Sequence, residues 1–183
     1  MSFTIRPATI ADAAVLAHIH VEGWRAAYDG QVDPDFLVQL SVSERESDWK
    51  RWFADSGMHV LLAEDTGGVP CGLISFGKLR TPIPGASPIR PPYSAEIYAF
   101  YILPAYWRQG LGKELLQAAV QALRPLKHRS LSLWVLEKNA RAVAFYKTMG
   151  GERCGKKDIE IGKSKVRDIC FGWRDTKIIA PEI

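Results

Sequence analysis

The chain has 183 residues, of which 47% are hydrophobic and 24% charged, and it carries a net charge of +4 at neutral pH. That mixture excludes a disordered or fibrous chain, and the length fills one core rather than two. The charge favours anionic ligands, but no basic stripe interleaved with aromatics marks a nucleic-acid surface, and no stretch is apolar over the thickness of a bilayer.

Phe3 to Arg6 alternates like a first strand that Pro7 stops, and Thr9 with Asp12 three places on reads as a helix N-cap. Ala14, Val15, Ile19 and Trp24 then recur at helical spacing to about Tyr28, where Asp29-Gly30 breaks the run. Pro34 starts a short helix through Leu40. Ser43 with Glu46 reads as the capping box of the next helix, whose buried stripe is Trp49, Trp52 and Phe53.

Val60 to Ala63 and Leu73 to Phe76 are short, apolar and β-like, with Thr66-Gly67-Gly68 as the turn between two paired strands. Thr81 to Pro92 is proline-rich and aperiodic, hence a loop long enough to cover a site or meet a partner. Ala95 to Leu103 builds a central strand. A helix follows with Leu111, Leu115, Ala119 and Leu123 on one face, and Pro125 ends it.

Leu131 to Leu136 is nearly all apolar, as for a strand covered on both faces. Asn139 caps a helix in which Ala142, Phe145, Tyr146 and Met149 share a side, and Gly150-Gly151 terminates it. Glu152 to Ile161 and Val166 to Trp173 form a hairpin around Gly162-Lys163. The expected fold is a layered α/β domain over residues 1–174, a mixed and mostly antiparallel central sheet flanked by helices, with 175–183 as a tail.

Chemistry concentrates after the central strand, at Tyr106-Trp107-Arg108-Gln109-Gly110-Leu111-Gly112-Lys113. Two glycines open a helix there, where unpaired N–H groups and the positive end of the helix dipole attract anions. Arg108 and Lys113 add cationic donors, so a ligand with several phosphates, such as coenzyme A, is the expected guest. A Rossmann turn needs a third glycine near Leu115 and a Walker loop needs Gly-Lys-Ser/Thr; neither is present. Asn139, Ala142 and Tyr146 fall at successive helical spacings and look toward one ligand.

At Gly110-Leu111-Gly112 and Asn139-x-x-Ala142-x-x-Phe145-Tyr146 the chain resembles the GNAT superfamily of acyl-CoA-dependent N-acetyltransferases, most specifically from Glu96 to Gly151. The family pattern places Gln or Arg three residues before the first glycine, where this chain has Trp107; Arg108 is expected to compensate. The resemblance implies acetyl-CoA as co-substrate and an amine as acceptor. It implies cofactor contacts at Ile102, Leu103, Arg108, Gln109, Gly110, Leu111, Gly112, Lys113, Asn139 and Ala142, with Tyr146 protonating the departing thiolate. A homodimer is likewise a family expectation.

An alkylammonium has a pKa near roughly 10.4, so direct attack on a thioester requires a base. If Ala95 to Leu103 is uninterrupted, Glu96, Tyr98, Phe100 and Ile102 share one face, making Glu96 the base, directly or through water. A bulge reverses that sharing, and a rim carboxylate that only attracts the amine is the other reading of Glu96. Glu22, His18 and His20 on the first helix are weaker base candidates. Trp24 and Tyr28, within a Trp-Arg-x-x-Tyr segment similar to one in many GNAT proteins, are expected to wall the acceptor pocket with Tyr98.

Cys71, Cys154 and Cys170 form no close-set motif, and His18, His20, His59 and His128 show no paired spacing with them or one another. No metal is expected. An odd cysteine count and no apolar signal core in Met1 to Thr9 point to reduced thiols in a cytoplasmic protein. An acyl-CoA-binding regulatory domain without turnover is the alternative function; it keeps every phosphate contact and lacks the base and acid.

Overall fold

The computed structural model describes residues 2–83 and 92–181. Its seven strands form one sheet in the order β1-β2-β3-β4-β5-β7-β6. These are β1 (Thr4–Pro7), β2 (Met58–Glu64), β3 (Pro70–Lys78), β4 (Ala95–Ile102), β5 (Leu131–Leu136), β6 (Glu152–Ile161) and β7 (Ser164–Trp173). Every pairing is antiparallel except that of β4 with β5. Five helices complete the layers: α1 (Ala13–Tyr28), α2 (Pro34–Gln39), α3 (Val42–Trp52), α4 (Leu111–Leu123) and α5 (Ala140–Thr148). No helix among the described residues is long and apolar enough to cross a membrane.

Strand alternation sorts the core into two layers. Ile74, Phe76, Ile97 and Phe171 pack with Leu115, Leu116 and Val120 of α4 and with Tyr146 of α5. Leu62 and Leu73, one residue out of step, pack on the opposite face with Leu16 and Ile19 of α1 and Trp49 of α3. Full burial of each such side chain contributes about 1.5–3 kcal/mol, which is why a one-residue slip of either strand is disfavoured.

Two local signals differ from expectation. The cap of α3 is Ser41, whose hydroxyl accepts from Glu44 N at 3.3 Å, rather than Ser43 with Glu46. Val42 then begins the helix and packs toward the Trp49 layer. The segment expected to trail as a tail instead forms a short turn at Thr176–Ile178 and buries Thr176, Ile179 and Ala180. Gln117 Nε2 of α4 donates to Ile179 O at 3.0 Å, and the Arg124 guanidinium donates to Ala180 O. Of the loop expected over Thr81 to Pro92, residues 84–91 lie outside the described residues.

Two features of β4 prepare the site. It pairs with β5 only over Ala95–Ile97 against Leu131–Leu133, so the two strands part beyond that point. On its other edge the register against β3 shifts, Ser75 facing Ala99 but Phe76 facing Ile97, which makes Tyr98 an extra, bulged residue.

Candidate functional site

Where β4 and β5 part, a cleft of about 730 Å³ opens between them, walled by β4, β5, the turn before α4, the first turns of α5 and the end of α1. At one end the backbone turns twice through the left-handed region, at Arg108 (φ 60°) and Gly110 (φ 90°). The N–H groups of Lys113 and Glu114 both return to Gly110 O, whereas those of residues 108–112 have no partner among the described residues. A run of unpaired N–H groups at the positive end of a 13-residue helix is a nest for an anion. Gly112 lies close under α5, where an added Cβ would stand 3.4 Å from the Phe145 ring.

The expected residues of this turn contribute in different ways. Arg108, Gly110, Gly112 and Lys113 line the cleft. Gln109 turns its amide back to donate to Ala105 O at 2.7 Å, and the Leu111 side chain is buried in the core, so both offer the main chain alone. Arg141, absent from the expectation, joins them from the first turn of α5, its guanidinium 3.2 Å from the centroid of the Trp107 ring. Burial and then the neighbouring Arg108 charge disfavour its protonated form, the strain an incoming anion would relieve.

Along β4, Leu103 N donates to Cys71 O, so residues 99, 101 and 103 bond to β3 while Phe100 and Ile102 aim their main-chain groups at the gap. Trp107 Nε1 occupies Ile102 O at 2.7 Å, leaving the Ile102 N–H and the Phe100 pair for a ligand. Leu103 departs from expectation: its N–H is bonded to Cys71, its carbonyl accepts from Tyr106 N, and it is not part of the cleft wall.

On α5, Asn139, Ala142 and Tyr146 all line the cleft. Asn139 Oδ1 caps the helix by accepting from Ala142 N at 3.2 Å, which leaves its side-chain NH₂ as a donor. Tyr146 is buried, and burial followed by the proximity of Tyr28 pushes its phenol well above the usual value. The group therefore stays protonated at neutral pH and is suited to donate. Tyr28 reaches the cleft from α1, its phenol pushed up to about 12 by burial. Trp24 does not line the cleft; it stands behind Tyr28, edge to face at 4.9 Å, and packs on Phe36.

The cleft thus brings together a turn of unpaired N–H groups, an open strand edge and the buried phenol of α5. The Acetyltransferase (GNAT) family pattern matches residues 24–150. The chain belongs to the GNAT acetyltransferase family. It is 32% identical over 172 residues to the uncharacterized N-acetyltransferase YuaI of Bacillus subtilis, covering 94% of this chain and 93% of the relative. Among solved structures it resembles the yncA protein of Salmonella typhimurium, determined with acetyl-CoA (TM-score 0.68, 21% identity, 94% of each chain). It also resembles PaiA N-acetyltransferase of Thermoplasma acidophilum, determined with coenzyme A (TM-score 0.65, 20% identity, 92% of this chain and 98% of the other).

Glu96 does not share a face with Ile102. The bulge at Tyr98 leaves Ala95 and Ile97 on the α4 side together with Phe100 and Ile102, so Glu96 lies on the opposite face from Ile102. Glu96 is buried outside the cleft wall, and Oε2 accepts from Arg80 N at 2.8 Å and Thr81 N at 2.7 Å. Tyr98 contributes to the wall, but its hydroxyl donates to Lys78 O at 2.5 Å beneath the Arg80 guanidinium, 3.9 Å from its ring centroid. The bulge is a property of pairing with β3, which no pattern within β4 reports.

The other candidates on α1 have structural surroundings. His20 is packed against Tyr101 (4.7 Å), Trp49 (5.8 Å) and Trp52 (6.3 Å), and burial, then the Arg45 charge, lowers its pKa to about 3. Glu22 pairs with Arg25 at 2.8 Å. Among the described residues no three His, Cys, Asp or Glu side chains group to hold a metal ion. Arg141 went unnoticed because a basic residue two places after a capping Asn reads as solvated surface; its partner Trp107 comes from a distant part of the chain.

Proposed function

We propose that this GNAT protein acetylates a primary amine of a small molecule or peptide with acetyl-CoA, by direct attack in a ternary complex. The run of unpartnered N–H groups over residues 108–112 carries the proposal, since it supplies the donors that a pyrophosphate would accept from. Arg108, Lys113 and Arg141 supply the cations that the Trp107 replacement removes from the usual place. The pantetheine arm extends along Phe100 and Ile102, and Asn139 donates to it through its side-chain NH₂.

The amine nitrogen forms its bond to the thioester carbonyl carbon, and the C–S bond breaks. One ammonium proton leaves to a base before attack, the sulfur takes a proton from Tyr146, and the second nitrogen proton of the adduct restores the Tyr146 phenol. Glu96 serves as that base through water reaching Oε1, the oxygen not engaged by Arg80 and Thr81, or else orders the start of the loop that follows β3.

Calorimetry with acetyl-CoA, followed by thiol release across a panel of primary amines, tests the reading. Saturable uptake with amine-dependent release is expected; no uptake by folded protein overturns it.

A further inference from the structure

At the cleft wall and just behind it, on the α1 side of the sheet, two polar side-chain groups have no hydrogen-bond partner among the described residues although their surroundings are well packed. Trp134 Nε1 of β5 is buried and unpartnered, whereas Trp24 of α1 leans on the Tyr101 hydroxyl. The Asp168 carboxylate of β7 is half-buried and makes no hydrogen bond or close ion pair to any described residue, whereas Asp158 of β6 pairs with Arg167. Buried polar groups without partners are rare and call for an explanation.

Register places these groups together. Leu136 faces Asp168 and Lys157 faces it from the other side, so the three form one row across β5, β7 and β6. The adjacent row on the same face is Trp134, Cys170 and Gly155. Tyr28 packs over Leu136 from α1. Its hydroxyl interacts with that of Tyr101 on β4 and feels the Asp168 charge from β7, so it spans the strand gap. Lys157, which faces Asp168 across the β6–β7 pair, holds Nζ over the Trp134 ring, 4.2 Å from its centroid, so its charge acts on the carboxylate without a hydrogen bond or close ion pair. The result is an aromatic surround with one carboxylate, free of hydrogen bonds to the described residues, just past the cleft wall.

Resting on the N-acetyltransferase reading, we propose that Asp168 is the specificity-determining residue for the acceptor: it receives the amine as a cation, between Tyr28 and Trp134, before deprotonation and transfer. Aromatic faces and a partly desolvated carboxylate favour an alkylammonium over a neutral amine of the same shape. The assignment gives Asp168 and Glu96 separate tasks, since Glu96 is already bonded to Arg80 and Thr81.

The test uses the full chain saturated with coenzyme A and an isomeric pair of probes, 2-phenylethylamine, an ammonium at neutral pH, and 4-ethylaniline, which is neutral there. Wild-type protein is expected to bind the ammonium at least about tenfold more tightly. Asp168→Asn should abolish that preference while leaving coenzyme A affinity, and hence the fold and the phosphate nest, within twofold. If Asp168→Asn does not fold, Asp168→Glu, which keeps the charge on a longer stem, must retain the preference.

Absence of a preference in the wild type, or its persistence in Asp168→Asn, overturns the assignment. Those results leave the N-acetyltransferase reading intact as long as acetyl-CoA still turns over with an amine. Failure of the wild type to bind coenzyme A at all overturns both.

Discussion

Tyr146 and His20 are both buried and both hold their neutral form, but the consequences differ because only one faces the cleft. Replacing Tyr146 with Phe removes a hydroxyl from a packed ring, so coenzyme A affinity should change little while transfer slows by roughly 10²- to 10⁴-fold, the range for a lost general acid. Single-turnover rates with an alkylamine check this, and an unchanged rate moves the donor elsewhere. His20, with Nδ1 unpartnered and a pKa lowered to about 3, acts on stability. Above the unfolded value of 6.5 both states are neutral and the residue contributes no pH dependence. As pH falls below it, the unfolded chain gains a proton that the folded chain refuses, so stability drops by about 1.4 kcal/mol per pH unit. Denaturant titrations from pH 6.5 to 5 should show this slope in the wild type and its loss in His20→Phe, which keeps an aromatic ring against Tyr101. Asn139 and Tyr146 were legible from sequence because helical spacing is local. The face of Glu96 turned on a bulge that only pairing with β3 decides, and Arg141 was missed because its partner Trp107 is distant in sequence.

At the level of elements, the turn into α4 separates charge from strain. Gly110 has a φ of 90°, a conformation that costs an L-residue roughly 1–2 kcal/mol, although the nearest atom to an added Cβ is Glu114 Oε1 at 3.8 Å. Gly110→Ala therefore introduces strain with little crowding, whereas Gly110→Glu adds a carboxylate beside the N–H groups proposed to hold the pyrophosphate. Calorimetry should find acetyl-CoA binding weakened on the order of 100-fold in Gly110→Glu and far less in Gly110→Ala, the difference reporting like-charge repulsion. Equal losses in the two would make the turn a structural corner only. The order and type of the elements were readable because each has its own periodicity and cap. The bulge in β4 was not, since register is set by the strand opposite, and it is the bulge that decides which face Glu96 occupies.

For the whole molecule, the decisive surprise is that residues after Trp173 complete the core. Alternation ends there, and polar Arg174 and Asp175 look like the start of an appendage; what holds the segment is a set of contacts with α4 and the end of α5, remote in sequence. Thr176 N bonds to Arg129 O at 2.9 Å, Gln117 holds Ile179 O, and Ile178 lies so close over Gly150 that a Cβ there would meet it at 2.5 Å. Ile179 and Ala180 join the same cluster as Trp173 and Tyr146. Ending the chain after Asp175 removes these side chains and exposes the surface under them, for an expected loss of roughly 3 kcal/mol or a melting temperature lower by roughly 6–12 °C. The phosphate nest sits at the opposite end of α4 from Arg124, so acetyl-CoA affinity of the truncated protein should stay within a few fold at a temperature where it is folded. Transfer should suffer more than binding, because the end of α5 that carries Tyr146 loses its cover. An unchanged melting temperature would make the segment an appendage after all; a lost affinity with normal melting would place it in the cofactor site.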